Sequence, residues 1–343
     1  MAYRYPRCAT LSHEDKAQLR VMLLAKHACA NGSPDPADGN HATYHHELKT
    51  TLQQIGCRVI PADSFEAVIR HPGVDFVWPL FNRAGFEHSE MLAPLLLTKH
   101  KVPFLGASPI LRGLSDDKHL MKLVAQGRGV PTARWKVFRQ GQALRGLDEL
   151  GDFPWVVKPN ASSASWGVSI VSSQAEAVGC VQALWAQGQD VIVERWLPQL
   201  DVAVPVIGDS NGQPWILPAM LYLPEDGRLL RSYDEKRGLK QCGDDPLVPV
   251  SDERLAAELG ALTEALLPEL WPFDYGRFEF RYDPERRELS FMEVNLSCNL
   301  WSRKTISRSA GLLGIDHEQL IETILAHSMR RQGVGTRRLE AAA

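Results

Sequence analysis

Residues 273–295 read FDYGRFEFRYDPERRELSFMEVN. Two runs of alternating polar and apolar residues flank a turn-forming tetrapeptide at 283–286, which predicts an antiparallel β-hairpin. Side chains two apart share one face of a strand. Arg277 and Glu279 therefore share a face of the first strand, and Glu293 and Asn295 share a face of the second. Antiparallel pairing can bring all four to one side of the sheet. Two carboxylates and an amide oxygen are hard ligands that suit Mg²⁺ and leave coordination positions free for phosphate oxygens. A solvated polar face is the alternative reading of the same residues.

Three weaker signals lie upstream. In PWVVKPNASSASWGVSIV (154–171), Lys158 ends an apolar strand, and 160–167 is a small, flexible loop whose N–H groups can wrap phosphate oxygens. It is not a Walker A motif, since GxxxxGK[ST] is absent, and a plain turn would look the same. VIVERWLPQLD (191–201) is an apolar strand running into an acid, two large apolar residues and Asp201. It suits an adenine slot with an acid for the ribose hydroxyls, or simply a strand leaving a core. Lys118 and Lys236 each sit beside acidic residues. A lone lysine is ordinarily a solvated surface group, so only the combined pattern gives these two weight.

Around these segments the chain alternates strand and helix signals. Strands are predicted at 19–25, 57–62, 74–81 and 102–106, with helices at 40–55 (Asn40 as N-cap) and 88–100. Strands interleaved with helices imply a parallel sheet covered on its faces, with ligands at the carboxyl ends of its strands. A single helix is predicted over 115–129, with acidic residues in its first turn. Strands at 134–138, 154–159, 167–173 and 191–197 surround a helix at 174–188. Strand-like 201–209 and 214–223 precede a polar stretch at 225–245, read as a surface loop, and a helix at 252–270. A helix at 317–329 follows the hairpin.

Length and composition narrow the class. At 343 residues, more than one lobe is expected. The net charge of −3, from 38 basic and 41 acidic residues, gives no global pull toward nucleic acid or an anionic membrane. No apolar run is long enough to span a bilayer, and MAYRYPRCATLSHEDK lacks the apolar middle of a secretory signal. Cys8, Cys29, Cys57, Cys180, Cys242 and Cys298 contain no CxxC pair, which argues against a zinc site or disulfide framework. The expectation is a cytoplasmic protein without nucleic-acid or membrane partners. The closing LEAAA reads as vector-derived.

The pieces DDKHLMK, FPWVVKPNASSASWGV, VIVERWLPQLD, SYDEK and GRFEFRYD…LSFMEVNLSCNLWS, in this order and at these separations, resemble the ATP-grasp superfamily, and within it the D-alanine–D-alanine ligase group. The resemblance implies a three-lobed α/β fold of α+β lobes. An N-terminal α/β substrate domain would cover 1–107, a central ATP-grasp lobe 108–190, a C-terminal ATP-grasp lobe with the metal site 191–330, and a tail 331–343. It implies ATP as substrate, two Mg²⁺ (Mn²⁺ as an alternative), a small-molecule carboxylic acid and an amine, and an association that is often homodimeric.

Roles carry over by position. Lys118 and Lys158 would contact phosphates, and Ser162, Ser163, Ser165 and Gly167 belong to the phosphate-covering loop. Glu194, Trp196 and Leu197 would hold adenine and Asp201 the ribose. Lys236 would close over the γ-phosphate from a mobile lid. Glu279, Glu293 and Asn295 would bind the metals, and Arg277 would steady the acyl phosphate and the later oxyanion.

The departures concern the substrates. The group has a glutamate just after the first strand that grips the first amino acid; here the longer loop KHACANGSPDPADGNHAT has none, leaving Asp35, Asp38 and His41 as candidates. Its phosphate-loop serine and the tyrosine after the lid lysine are replaced by Ala164 and Arg237. Its oxyanion-hole glycine and acceptor-binding serine are replaced by Asn299 and Lys304. Arg237, Arg303 and Lys304 add positive charge near the acceptor pocket, which suits an anionic acceptor. Asn82, Arg83 and Glu87 are candidates for the donor pocket. The leading expectation is an ATP-dependent carboxylate–amine ligase of specialised biosynthesis, acting through an acyl phosphate. The alternatives are a D-alanine–D-alanine ligase of peptidoglycan synthesis and a non-catalytic nucleotide-binding module.

Overall fold

A strand with consecutive apolar residues needs cover on both faces. In the computed structural model, which describes residues 8–70, 73–81, 89–162, 164–223, 234, 236, 239 and 247–335, that is the setting of β1 (Arg20–Leu24). It lies between β2 (Arg58–Ala62) and β3 (Phe76–Pro79) in a three-stranded parallel sheet. Val21 and Leu23 pack into one core with Leu48 and Leu52 of the helix His41–Gln54. Met22 and Leu24 pack into another with Ala93 and Leu97 of the helix Leu92–Lys99. The segment 102–106 is not a full strand; it touches β3 through one bridge, Val77 to Phe104. Asn40 stands at the N-cap, but its side chain makes no capping bond. The short helices His13–Gln18 and Glu66–Arg70 complete this region.

The helix predicted over 115–129 is broken. One helix (Pro109–Asp116) ends, Asp117 is extended at φ −86° and ψ 104°, and a second, α6 in chain order, runs Lys118–Gly127. The physical reason is the cap: the Asp117 carboxylate accepts from the Leu120 N–H at 2.9 Å, and a capping residue takes non-helical angles. The break places Lys118 at the first helical position, facing the centre of the molecule.

Two antiparallel sheets build the remainder. One has the order β4–β7–β5–β6, formed by Trp135–Phe138 (β4), Trp155–Pro159 (β5), Ser169–Val171 (β6) and Val191–Arg195 (β7). The helix Gln174–Trp185 covers it through Ala177, Val181 and Leu184. The other sheet is six-stranded: Leu200–Ile207 (β8) lies beside both Met220–Tyr222 (β10) and Tyr275–Asp283 (β12), which pairs with Glu288–Asn295 (β13). Trp215–Ile216 (β9) pairs with β8, and Leu247–Pro249 (β11) with β10. The expected strand 214–223 is thus two short strands. The helix Glu253–Leu270 packs beneath, where Leu259, Leu266 and Leu270 meet Phe278 and Phe280.

The C-terminal helix His317–Arg331 returns to the parallel sheet, and Leu320, Ile321 and Ile324 join its core. This helix continues into the stretch read as tail: Arg331 Nη2 lies 2.9 Å from Asp274 Oδ2, and Gln332 Nε2 donates to the Phe104 carbonyl at 2.6 Å. No helix among the described residues is long and apolar enough to cross a membrane.

Candidate active site

The hairpin register decides the site. Arg277 stands opposite Asn295, and Glu279 opposite Glu293. The next pair is Phe280 with Phe291, so Met292 is an extra residue on β13. Such a bulge re-aims side chains; here Met292 and Glu293 both face one cavity, while Phe280 stays in the core beneath and Phe291, also a core residue, borders the cavity floor. Arg277 Nε donates to Glu279 Oε1 at 2.8 Å, and Asn295 Nδ2 donates to the same oxygen at 2.9 Å and to Glu293 Oε1 at 3.4 Å. The four side chains expected to converge do so. Burial opposes the charge on Arg277, but Glu279 outweighs it and holds the guanidinium protonated above its ordinary range.

The cavity between the three sheets is about 480 Å³, within the usual range for small-molecule sites. Lys118 Nζ donates to the Ser162 carbonyl at 2.5 Å and lies 3.4 Å from Glu293 Oε2. Burial alone would raise the Glu293 carboxyl; Lys118 and Lys158 outweigh it and hold the group below its ordinary range. The 160–167 loop is anchored by Asn160, whose side-chain oxygen accepts from the His119 N–H at 2.9 Å. Ala164 and Ser165 are left-handed, at φ 56° and 61°, conformations that cost free energy and cluster at ligand clamps. Lys236 Nζ donates to Ser165 Oγ at 2.7 Å, which brings this lysine onto the loop; the rest of the stretch 225–245, apart from Asp234 and Leu239, lies outside the described residues.

Deeper in, Glu194 on β7 is clasped between two lysines. Lys158 donates to one carboxylate oxygen, and Lys122 Nζ lies 2.9 Å from the other. Lys122 is 1% exposed, donates to Thr132 Oγ1 at 2.7 Å and sits 5.5 Å from the Trp135 ring centroid. Burial pushes the Glu194 carboxyl up, but the lysines prevail and bring it down to about 2. Replacing Glu194 with glutamine removes one partner of a buried ion-pair network, which typically costs ~3–5 kcal/mol. The folded value of about 2 lies below that of an unfolded glutamate. The stabilisation is therefore fully present at neutral pH and fades as pH falls through the acidic range toward the folded value. Denaturant unfolding of wild type and Glu194→Gln should show a gap that narrows on acidification; a gap constant with pH would contradict an ionised pair.

Trp196, Leu197 and Asp201 follow Glu194 along the cavity wall. At the opposite end, Asn299, Lys304, Asp38 and His41 line it. Asp38 Oδ2 lies 2.8 Å from His27 Nε2 and 3.1 Å from Lys26 Nζ. Asn299 Oδ1 accepts from the Trp301 N–H at 2.7 Å, fixing the turn after β13.

Three expected residues fall elsewhere. Asp35 spends its carboxylate on the Ala37 and Asp38 N–H groups at 2.9 and 2.8 Å, because its loop needs a turn there. Arg303 is exposed and stacks over the Trp301 ring at 5.4 Å, outside the cavity wall. Gly167 acts below the loop: at φ +70°, an added Cβ would come within 2.9 Å of Pro159. Asn82, Arg83, Glu87, Ser163 and Arg237 lie outside the described residues. Unforeseen on the wall are Lys122, Tyr222, Arg281, Met292 and Cys298. Arg281 was detectable, being the next member of the alternating row Arg277, Glu279. Met292 was not, since no residue type marks the bulge.

The family model for the D-ala D-ala ligase C-terminus matches residues 124–326. A D-alanine–D-alanine ligase from a Synechococcus species is 25% identical over 293 residues, covering 82% of this chain and 86% of its own. The crystal structure of D-alanine–D-alanine ligase from Bacillus anthracis complexed with ATP superposes with a TM-score of 0.71 at 18% identity, over 92% of this chain and 98% of that one. The VanG D-Ala:D-Ser ligase from Enterococcus faecalis gives a TM-score of 0.71 at 12% identity, over 90% and 99%. The chain belongs to the D-ala D-ala ligase C-terminus family and has the ATP-grasp fold.

Proposed function

We propose that this C–N bond-forming ligase activates a carboxylic acid with ATP and joins it to an amine, releasing ADP and phosphate. One observation carries the reading: Arg277, Glu279, Glu293 and Asn295 meet in one cavity beside Lys118 and Lys158. A carboxylate is a poor electrophile, and transfer of the γ-phosphoryl group makes it an acyl phosphate. Such transfer needs positioning and charge neutralisation more than covalent help. Lys118, Lys158 and Lys236 would hold the phosphates, and Glu194, Trp196, Leu197 and Asp201 the nucleoside.

Among the described residues no group of three His, Cys, Asp or Glu forms a closed metal cage. Glu279, Glu293 and Asn295 are instead a partial set of hard oxygens, which fits a divalent cation completed by phosphate. Mg²⁺, as a pair, is the ion this donor set suits best. A bound cation supplies charge neutralisation on the phosphoryl group. Arg277 donates toward the acyl phosphate and then to the oxyanion formed when the amine attacks. The N–H of Asn299 would add a second donor. Closure over Ser165 by Lys236 excludes the water that would hydrolyse the acyl phosphate.

The named relatives favour D-alanine as donor and acceptor over the specialised pathway expected from the sequence. The reading is tested with ATP, Mg²⁺ and D-alanine, with hydroxylamine standing in for the amine. Formation of a hydroxamate together with ADP is expected. ADP release without hydroxamate from any acid in a carboxylate panel would sink it.

Lys304 on the cavity wall favours a second reading, in which the acceptor carries an extra anionic group. Lys304→Ala should then raise the acceptor KM by roughly 10-fold, the loss of one charge-assisted hydrogen bond, without changing the donor KM. An unchanged acceptor KM would rule this out.

A further inference from the structure

Beyond Arg277 and Glu279, the cavity face of β12 carries a third side chain. Four residues of strand rise about 13 Å, comparable with the length of an extended nucleotide. Arg281 therefore stands as far from Arg277 as a base stands from the transferring phosphoryl group. It is only 4% exposed. Its Nη1 donates to the Gln199 carbonyl at 2.7 Å, and its Nε lies 3.1 Å from Asp201 Oδ1. The guanidinium carbon is 5.1 Å from the centroid of the Trp196 ring, and Nε is 3.1 Å from Met292 Sδ.

One rigid fork thus ties together the acid assigned to the ribose, the ring assigned to the base, and the backbone between them. β8 sets the acid in register, since Asp201 pairs directly with Arg281 across the ladder. Trp196 follows β7, in the other antiparallel sheet, so Arg281 also joins the two walls of the cleft. A lysine has no planar fork and cannot make the bond to Gln199, the ion pair and the stack together.

We infer that Arg281 is a nucleotide-positioning residue: it holds Asp201 and Trp196 in the geometry that receives the nucleoside, and takes no part in phosphoryl transfer. The inference rests on the reading of this cavity as the ATP site. Its test is calorimetric titration of wild type, Arg281→Met and Arg281→Lys with ADP and with inorganic tripolyphosphate, beside steady-state kinetics.

Arg281→Met should weaken ADP roughly 10- to 100-fold, the loss of charge-assisted hydrogen bonds. Tripolyphosphate, which has no nucleoside, should bind as to wild type. The KM for ATP should rise by the same factor as the ADP Kd, with kcat at saturating ATP within about 3-fold, as for lost uniform binding. Arg281→Lys keeps the charge and should recover only part of the ADP affinity; if the methionine variant does not fold, the lysine variant is judged by the same criteria. Unchanged ADP binding, or equal losses for ADP and tripolyphosphate, would overturn the inference. Failure of wild type to bind ADP would overturn the ATP reading itself, and the inference with it.

Discussion

Arg277→Gln should lower kcat by roughly 10²–10³-fold, the usual cost of removing one preorganised donor to a developing oxyanion. The guanidinium is held by Glu279 through its Nε at 2.8 Å, so its orientation is set before substrate arrives. Glutamine keeps hydrogen-bonding capacity but loses the charge and the fork. ADP affinity should stay within about 3-fold of wild type, since the interaction lost belongs to the transition state rather than to uniform binding. Phosphate release under saturating ATP checks the first expectation, and calorimetry with ADP the second. A kcat near that of wild type would remove Arg277 from the chemistry.

Glu293→Gln should raise the divalent-cation concentration for half-maximal activity by roughly 100-fold or more, beyond the usual loss for a mutated outer-shell group. The carboxylate is held ionised by Lys118 and Lys158 against its burial. Its neutral isostere lacks the anionic oxygens a hard cation prefers. It also leaves Lys118 without the ion pair it makes at 3.4 Å. Cation titrations of both proteins at fixed ATP give the comparison. An unchanged half-saturation would mean that Glu293 is not a ligand.

The hairpin was the most legible part of the chain because its signal is local. Period-two alternation and the DPER turn lie within 23 consecutive residues, but the turn sets register only as far as Phe280 and Phe291; the bulge at Met292 shifts it by one residue before Glu279 and Glu293. β1 was legible for a related reason: an unbroken apolar run has few settings other than a strand covered on both faces. The helix break at Asp117 was harder. An aspartate before a lysine reads equally well as a first-turn acid or as a cap. The isolated bridge to Ala161 and the Lys118 N–H donating to the Asn160 carbonyl at 3.1 Å are contacts made more than 40 positions away. The segment 102–106 failed in the opposite sense: VPFLG has strand composition but only one bridge to β3.

By its own pattern, the sequence determined the alternating α/β region, the hairpin, and the strand faces that Arg277 shares with Glu279 and Glu293 with Asn295. These are short-range properties, written in periodicity and turn chemistry. Only the tertiary structure decided that Lys122 and Lys158 clasp Glu194, that Met292 bulges, that Arg281 joins Asp201 to Trp196, and that Asp38 rather than Asp35 reaches the cavity. Each depends on which side chains meet across different sheets and loops. Spacing along the chain carries no record of that proximity.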